Sequence, residues 1–418
     1  MNATPLDRQR LYLIGNLSIF MIGLGFAVRA SIAPNLMTEI FEPIDIVNAA
    51  SMVGGALGAT FTGFALTLLF GSALVDWVGI KRMMQFSALG YIGGSLGLFL
   101  AATNPIASWA ADLVWISLLL TGLGWGAVEA SSNPMITALF PGEKTHRLNV
   151  LHAWWPAGIV VGGLAGIAIS ALELNWTTNL VLLMLPSIIL AVLTLKTEFP
   201  VTERVAAGIS YGEMFSELLR RPMFWLFWVC MYFTAAAELA PGQWVNIALS
   251  NIVGMQGIVL LVYVSALMFV MRHFAGAIVN VLSQAGLMFS SCLAAGVGLY
   301  LLSVADSPLL AFLAATVWGI GVCYMWPTML AITSDRFPRG GALAMGLMGF
   351  AGGMSIQFVL PEMGAIFDTA KQFAEANGAL PAQAIRIASV ESFQAVSIVP
   401  LILLPVFGLI WYADRKNS

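Results

Sequence analysis

Apolar runs recur along the whole chain and are separated by short segments rich in charged residues, Gly, Pro or Asn. Each run is long enough for a transmembrane helix, which needs about 20 residues to cross the hydrocarbon core of a bilayer. The pattern predicts twelve spans, near residues 11–36, 47–70, 83–103, 111–139, 148–172, 177–195, 222–249, 257–282, 285–304, 308–332, 341–365 and 391–413.

Composition supports this interpretation. The chain is 59% hydrophobic and 9% charged, whereas a typical soluble protein carries about 25% charged residues. A transmembrane β-barrel needs segments of about 10 residues that alternate between apolar and polar positions, and no such alternation occurs. The predicted fold class is therefore an all-α polytopic membrane protein. Its first apolar run is too long for the core of a signal peptide and is predicted to remain as the first helix.

The most polar stretch lies between the sixth and seventh predicted spans. It divides the chain into an N-terminal six-helix half (1–195), a cytoplasmic linker with a short surface helix (196–221) and a C-terminal six-helix half (222–418). If the N-terminus is cytoplasmic, most of the 18 Lys and Arg residues fall on the cytoplasmic side, as the positive-inside rule requires. Both termini are therefore predicted to be cytoplasmic.

The loop after the second span reads GSALVDWVGIKR. Glycine permits close helix approach and tight turns, and an acid can face the positive N-terminal end of another helix. The loop resembles a motif of the major facilitator superfamily, in which it acts as a latch between the two halves. The matching residues are Gly71, Asp76, Gly79, Lys81 and Arg82. The resemblance implies two six-helix halves with the substrate between them. The corresponding segment of the second half, FAGAIVNVLSQAG, lacks the acid and the basic pair, so the predicted latch is one-sided.

Other segments resemble the fucose and glucose/galactose permease family of sugar:proton symporters. They are VEASSNPMITALFPGEKTHRLNVLHAWWPAG in spans four and five, AAAELAPGQWVNIAL in span seven, MRHFAGA in span eight, YMWPTMLAI in span ten and LPEMGAIFD in span eleven. The resemblance implies symport of a monosaccharide with a proton. The first span departs from it, because GFAVRASIAPNL has Arg29 where that family often carries Asp or Asn.

Glu129 lies in the middle of the fourth apolar run. An ionisable side chain at bilayer depth costs roughly 2.5–3.5 kcal/mol to insert, so such a residue needs a reason. Glu129 shares a helical face with Trp125 and Asn133, four residues to either side. We predict that it binds and releases a proton. Two alternatives stay open here: a hydrogen bond to the substrate, and a permanent ion pair with Arg29, the basic residue assigned to the same coupling system.

Glu238 in the seventh span precedes a Pro-Gly pair, Pro241 and Gly242. Such helix breakers are tolerated in a membrane where the backbone faces a cavity or other protein. Glu238 is predicted to take part in proton coupling, and the alternative is a purely structural pair with Arg272. Arg272 and its neighbour His273 are predicted to make intramembrane pairs.

A sugar needs a flat apolar surface for its C–H face and polar groups for its hydroxyls. The predicted stacking residues are Trp154, Trp155 and Trp326. The predicted hydroxyl-binding amides are Asn133, Gln243, Asn246 and Gln357. Tryptophans near span ends are also common in interface belts and in packed cores, which is the alternative for this set.

The leading hypothesis is a proton-coupled secondary transporter of a small polar solute, namely a monosaccharide, that works by alternating access as a monomer in a bacterial inner membrane. The alternatives are an exporter of drugs or other amphipathic compounds and a proton-independent sugar facilitator. No catalytic, phosphate-binding or metal motif stands out, and the three cysteines lie in apolar runs without metal spacing. No enzymatic activity, no cofactor besides the coupling proton and no nucleic-acid partner are therefore expected.

Overall fold

The structure is a computed structural model that describes residues 6–417, apart from 141–143, 203–204, 206–207, 209 and 273. The described residues form long helices joined by short turns. The helices are α1 Arg8–Leu36, α2 Ala49–Val78, α3 Ile80–Thr103, α4 Ala110–Leu139, α5 Lys144–Ala171, α6 Thr178–Leu195, α7 Tyr211–Leu219, α8 Pro222–Val253, α9 Ile258–Arg272, α10 Ala275–Val304, α11 Pro308–Val322, α12 Met325–Arg336, α13 Gly341–Ala376, α14 Pro381–Leu401 and α15 Leu404–Asn417.

In this part of the chain, 11 helical segments are long and apolar enough to cross a membrane, and Ile258–Arg272 is a shorter apolar helix. The prediction of an all-helical membrane protein is confirmed. The short helix α7 lies in the segment where a surface helix was expected. Its first residue follows Ser210, which accepts a hydrogen bond from the Glu213 backbone N–H in a capping box. The same contacts, with the Ser210 side chain foremost, lower the pKa of the Glu213 carboxyl.

The span predicted at 308–332 is two helices, α11 and α12, separated at Cys323 and Tyr324. Pro327 lies in the first turn of α12, where proline fits well because first-turn N–H groups have no partner inside a helix. The break leaves carbonyl groups at the end of α11 and N–H groups at the start of α12 in need of partners.

The boundary between the predicted spans 257–282 and 285–304 is a bend inside α10. Ser283 adopts φ 62° and ψ 169°, which interrupts the helix, and a positive φ is unfavourable for a residue with a side chain. A second interruption, between Arg272 and Ala275, was not expected from the sequence.

Helices α1–α6, the N-terminal group, pack against α8–α15, the C-terminal group, along the facing helices α2 and α13. Polar contacts join the groups at the end of the bundle away from the chain termini. There the Ser51 N–H donates to Asp368 Oδ2 at 2.9 Å, and Gln256 Nε2 donates to Ser170 Oγ at 3.2 Å. The two groups are therefore in contact at this end of the bundle.

Candidate functional site

A small cavity lies between the two groups of helices. Its lining contains three tryptophans, two carboxylates, an arginine, a histidine and a leucine, namely Trp125, Glu129, His152, Trp155, Glu238, Leu239, Arg272 and Trp326. The space that water can occupy is about 40 Å³, enough for roughly three water molecules. A second chamber of about 30 Å³ shares Glu129 and Trp326 with the first and also contacts Asn133 and Gly346. A sugar ring needs more room, so binding one requires the groups to move apart.

Glu129 belongs to a hydrogen-bonded cluster that joins α4 to α5. Asn133 Nδ2 donates to Glu129 Oε2 and to the Glu129 carbonyl oxygen, both at 3.2 Å. His152 Nε2 lies 3.1 Å from Asn133 Oδ1. The ion pairs of the described residues do not include Glu129 or Arg29. The Glu129 carboxylate is therefore bound by a neutral amide, and the ion pair with Arg29 that the sequence left open is not formed.

Glu238 is held by a cation and by a helix end. Arg272 Nη2 lies 3.4 Å from Glu238 Oε1, and both side chains are largely buried. Glu238 Oε2 accepts the Trp326 backbone N–H at 3.3 Å, in the first turn of α12. Arg272 Nε donates to the carbonyl oxygen of Cys323, just after α11, at 3.2 Å. The ion pair thus spans the break in the helix and supplies partners to both sides of it.

The placement of these charges also suits the helix dipoles. A helix carries partial positive charge at its N-terminus and partial negative charge at its C-terminus. Glu238 contacts the N-terminus of α12, and Arg272 contacts the carbonyl end of α11. Tyr324 adds a hydrogen bond from its hydroxyl to the Met271 carbonyl oxygen at 2.9 Å, which ties the break to α9. This arrangement can hold the broken helix in one geometry.

Gln243 does not line either chamber, although it was predicted to bind substrate. Its side chain is fully buried and joins α8 to α1. Gln243 Oε1 accepts from Arg29 Nε at 3.3 Å, and Gln243 Nε2 donates to the Phe26 carbonyl oxygen at 3.0 Å. In this state both polar ends of the amide are occupied by protein groups.

Only one of the two adjacent predicted stacking tryptophans reaches the cavity. Trp155 lines it, whereas Trp154 is 42% exposed and packs edge-on against Phe20. Successive residues point about 100° apart on a helix with 3.6 residues per turn, so both cannot face the same cavity. Trp326 lines both chambers.

Three further predicted residues lie outside the two chambers or outside the described residues. Gln357 lies on α13 opposite Gly58, and its buried Oε1 has no hydrogen-bond partner among the described residues. The side chain of Asn246 and the whole of His273 lie outside the described residues.

The predicted latch residues lie around the junction of α2 and α3, with Gly71 and Asp76 in the last turns of α2 and Lys81 and Arg82 in the first turn of α3. Gly79 has a φ of 89° and ends α2, and the Thr202 hydroxyl donates to Asp76 Oδ1. Lys81 Nζ donates to the Leu195 carbonyl oxygen at the end of α6, at 2.9 Å. Gly71 packs against the Met83 side chain, while Arg82 is exposed. The described contacts of the loop therefore reach α6 and the polar segment that follows it.

Three residues that line the first cavity, Trp125, His152 and Leu239, were not predicted as site residues. Trp125 appeared only as a neighbour of Glu129 on one helical face, and His152 and Leu239 were given no role in the predicted site. The signal for His152 was its position three residues before Trp155, which places the two on one face. No group of three residues able to hold a metal ion occurs in the described part of the chain.

A bundle of apolar helices around a small cavity with buried charges defines a class of integral membrane protein, in which a solute can bind between two groups of helices. Residues 15–360 match the sequence profile of the Major Facilitator Superfamily. The chain belongs to this superfamily of transporters.

Solved structures agree in fold. The chain is similar to a D-xylose-proton symporter (14% identity, 94% of this chain and 96% of that chain, TM-score 0.75). It is also similar to a nucleoside transporter (14% identity, 95% and 99%, TM-score 0.69) and to the E. coli fucose:proton symporter (16% identity, 94% and 98%, TM-score 0.56). No curated protein sequence matched the chain. At these identities the likeness establishes the fold alone.

Proposed function

We propose that the protein is a proton-coupled symporter of a monosaccharide-sized polar solute. The observation that carries this proposal is the Glu129 carboxylate, which lies in a tryptophan-lined cavity with a neutral amide as its described partner. A buried charge is costly in a membrane protein, and a proton removes that charge. A carboxylate that forms no ion pair among the described residues can therefore alternate between a charged and a neutral form.

The walls of the cavity support a sugar as the solute. Trp155 and Trp326 offer flat apolar faces, while Glu129, His152 and Glu238 offer polar groups to hydroxyls. The distant structural neighbours include proteins whose names state xylose and fucose transport with protons. Both observations favour a sugar over a wholly apolar solute.

The proposal also includes the topology of the chain in the membrane and the membrane in which it lies. Twelve spans arise if α9 with the first part of α10, α11 with α12, and α14 with α15 each cross once. The halves are then 1–195 and 222–418, with both termini on the cytoplasmic side of a bacterial inner membrane. In this orientation the contacts at Ser51 and Ser170 close the outer side, and the cavity opens to the cytoplasm when its inner wall parts. The transporting unit is a monomer.

The test is uptake of radiolabelled hexoses, deoxyhexoses and pentoses into proteoliposomes with an imposed pH gradient. We expect the wild-type protein to accumulate one of these sugars above equilibrium. Glu129→Gln keeps the hydrogen bond to Asn133 but cannot take up a proton, so it should exchange sugar without accumulating it. Glu217→Gln, a change on the surface helix α7, is the matched control and should behave as wild type. Undiminished accumulation by Glu129→Gln contradicts the proton role of this residue.

One observation favours a second candidate, an exporter of amphipathic cations. Three tryptophan rings surround two carboxylates and one arginine, and aromatic faces also bind organic cations. Binding of such cations without any sugar binding would favour export. Sugar uptake that ignores the pH gradient and stops at equal concentrations on the two sides would instead indicate a proton-independent facilitator.

A further inference from the structure

The Arg29 guanidinium is buried without enough hydrogen-bond acceptors. Arg29 as a whole is 2% exposed, and its Nε donates to Gln243 Oε1 at 3.3 Å. Both terminal nitrogens, Nη1 and Nη2, have no acceptor among the described residues. A buried cation is tolerated when it is paired and hydrogen-bonded, so this side chain has unused capacity to bind an anion.

Two neighbours of the guanidinium, Tyr91 and Trp125, also carry buried hydrogen-bond donors without a described acceptor. Its central carbon lies 5.5 Å from the Trp125 ring and 6.0 Å from the Phe26 ring, both of which offer aromatic faces. Tyr91 lies beside it, since a Cβ placed on Gly25 would be 2.8 Å from Tyr91 Cε1 and 3.3 Å from Arg29 Nη1. Trp125 Nε1 has no hydrogen-bond partner among the described residues, and the Tyr91 hydroxyl, which interacts with the charge of Arg29, has no other described partner. The region therefore favours a ligand that supplies acceptor oxygens.

The position of Arg29 connects it to the cavity. Trp125 contacts the guanidinium and also lines the cavity with Glu129 and Trp155. The hydrogen bond between Arg29 and Gln243 crosses from α1 to α8 and so joins the two groups of helices. When these helices separate during alternating access, Gln243 leaves with α8 and the guanidinium loses its remaining acceptor.

We propose that Arg29, with the Tyr91 hydroxyl and Trp125 Nε1, binds a carboxylate of the transported solute, which is therefore an acidic sugar of the hexuronate type. This inference rests on the proposed transport of a sugar through the same cavity. The planar guanidinium matches a carboxylate with two parallel N–H donors, a geometry that a hydroxyl cannot reproduce. A bound uronate also balances the charge of Arg29.

The experiment compares binding of galacturonate, its methyl ester and galactose to the purified full-length protein in detergent, followed by tryptophan fluorescence. The ester keeps the shape of the uronate and removes its charge. We expect the wild-type protein to bind galacturonate at least tenfold more tightly than the ester or galactose. Arg29→Gln should lose this tenfold preference while its galactose affinity stays within twofold. Arg29→Lys should keep part of it, and Arg8→Gln, an exposed arginine on the same helix, should keep all of it.

Other results overturn the inference in distinguishable ways. Galactose binding that equals or exceeds galacturonate binding overturns it and leaves the proposed sugar transport intact. If none of the three ligands binds, the result counts against both the acidic sugar and the proposed sugar transport. An equal loss of affinity for all three ligands in Arg29→Gln assigns Arg29 a structural role. Recovery of galacturonate binding when Glu129→Gln is added to Arg29→Gln shows that Arg29 serves Glu129 instead. The ester comparison uses only wild-type protein, so it stands even if the variants do not fold.

Discussion

Glu129 and Glu238 are two carboxylates in one cavity with different surroundings. Glu129, on α4, accepts a hydrogen bond from the neutral amide of Asn133. Glu238, on α8, faces Arg272 at 3.4 Å and accepts the backbone N–H of Trp326 at 3.3 Å. Both residues lie in apolar runs of similar appearance in the sequence and were both predicted to take part in proton coupling, yet their partners differ.

Under the proposed function, this difference separates a structural charge, Glu238, from a functional one, Glu129. The Glu238–Arg272 pair joins the two sides of a broken helix, so removing either charge leaves the other buried without a counter-charge. Among the described residues, Glu129 contacts no helix end, and its partner Asn133 can hydrogen-bond to a neutral acid as well as to a charged one. Changes to the pair should therefore affect folding, whereas changes to Glu129 should affect transport.

The largest expected effect follows from Arg272→Ala. Removing one partner of a buried pair typically costs about 3–5 kcal/mol because the remaining charge is left uncompensated. We expect a loss of this size in the free energy of unfolding, measured by titration with a denaturing detergent. The matched control is Arg221→Ala, since Arg221 pairs with Glu217 at 3.1 Å but is 57% exposed in its side chain. An exposed pair contributes at most about 1 kcal/mol. Equal losses in the two variants would contradict a structural role for the buried pair.

The second-largest expected effect is a difference in unfolding free energy between Glu238→Gln and Glu129→Gln. Glu238→Gln leaves Arg272 without a counter-charge and weakens the contact to Trp326, so we expect a loss of about 1–3 kcal/mol. Glu129→Gln retains an oxygen for Asn133, so its unfolding free energy should stay within about 1 kcal/mol of wild type. The same detergent titration measures both. A larger loss in Glu129→Gln than in Glu238→Gln would reverse the assignment of structural and functional charges.

Much of the fold was predictable because bilayer thickness sets the length of each apolar run. The breaks inside spans were harder to predict, since α11 and α12 are apolar on both sides of Cys323 and Tyr324. Pro327 was a signal, but the sequence does not say that Arg272 and Glu238 complete the break. Those partners come from other helices, and helix packing decides which charge meets which helix end.

The faces of the helices were the least predictable feature of the candidate site. A soluble helix shows its buried face as an apolar stripe, but lipid is as apolar as a protein core, so that signal is lost. Trp154 and Trp155 therefore looked equivalent, although one is exposed and the other lines the cavity. Glu129 was found because an ionisable residue in an apolar run is conspicuous on either face. Its separation from Arg29 depends on tertiary packing that a single sequence does not reveal.

A smaller effect on binding should distinguish these two tryptophans. Trp155→Ala removes an aromatic contact worth about 1.5 kcal/mol, so the affinity for the transported sugar should fall roughly tenfold. Trp154→Ala, its matched control on the preceding residue, should change that affinity less than twofold. Equilibrium binding of the labelled sugar measures both. A larger loss from Trp154→Ala would show that the exposed ring, and not the cavity wall, contacts the solute.

The smallest expected effect concerns Asn133, the described partner of Glu129. Asn133→Ala removes its contacts to Glu129 and His152 together with an amide that we predict to bind a sugar hydroxyl. Losing one such hydrogen bond to the sugar costs about 1 kcal/mol, which corresponds to roughly a fivefold loss of sugar affinity. Because the Glu129 carboxylate then lacks its amide donor, the pH profile of uptake should also move. Asn179→Ala is the matched control, since Asn179 is buried and donates to the Trp176 carbonyl oxygen but does not line the described chambers. It should lower stability while leaving sugar affinity and the pH profile unchanged. An identical pH profile in Asn133→Ala and wild type would show that Asn133 only packs between α4 and α5, and that Glu129 takes up its proton without help from this amide.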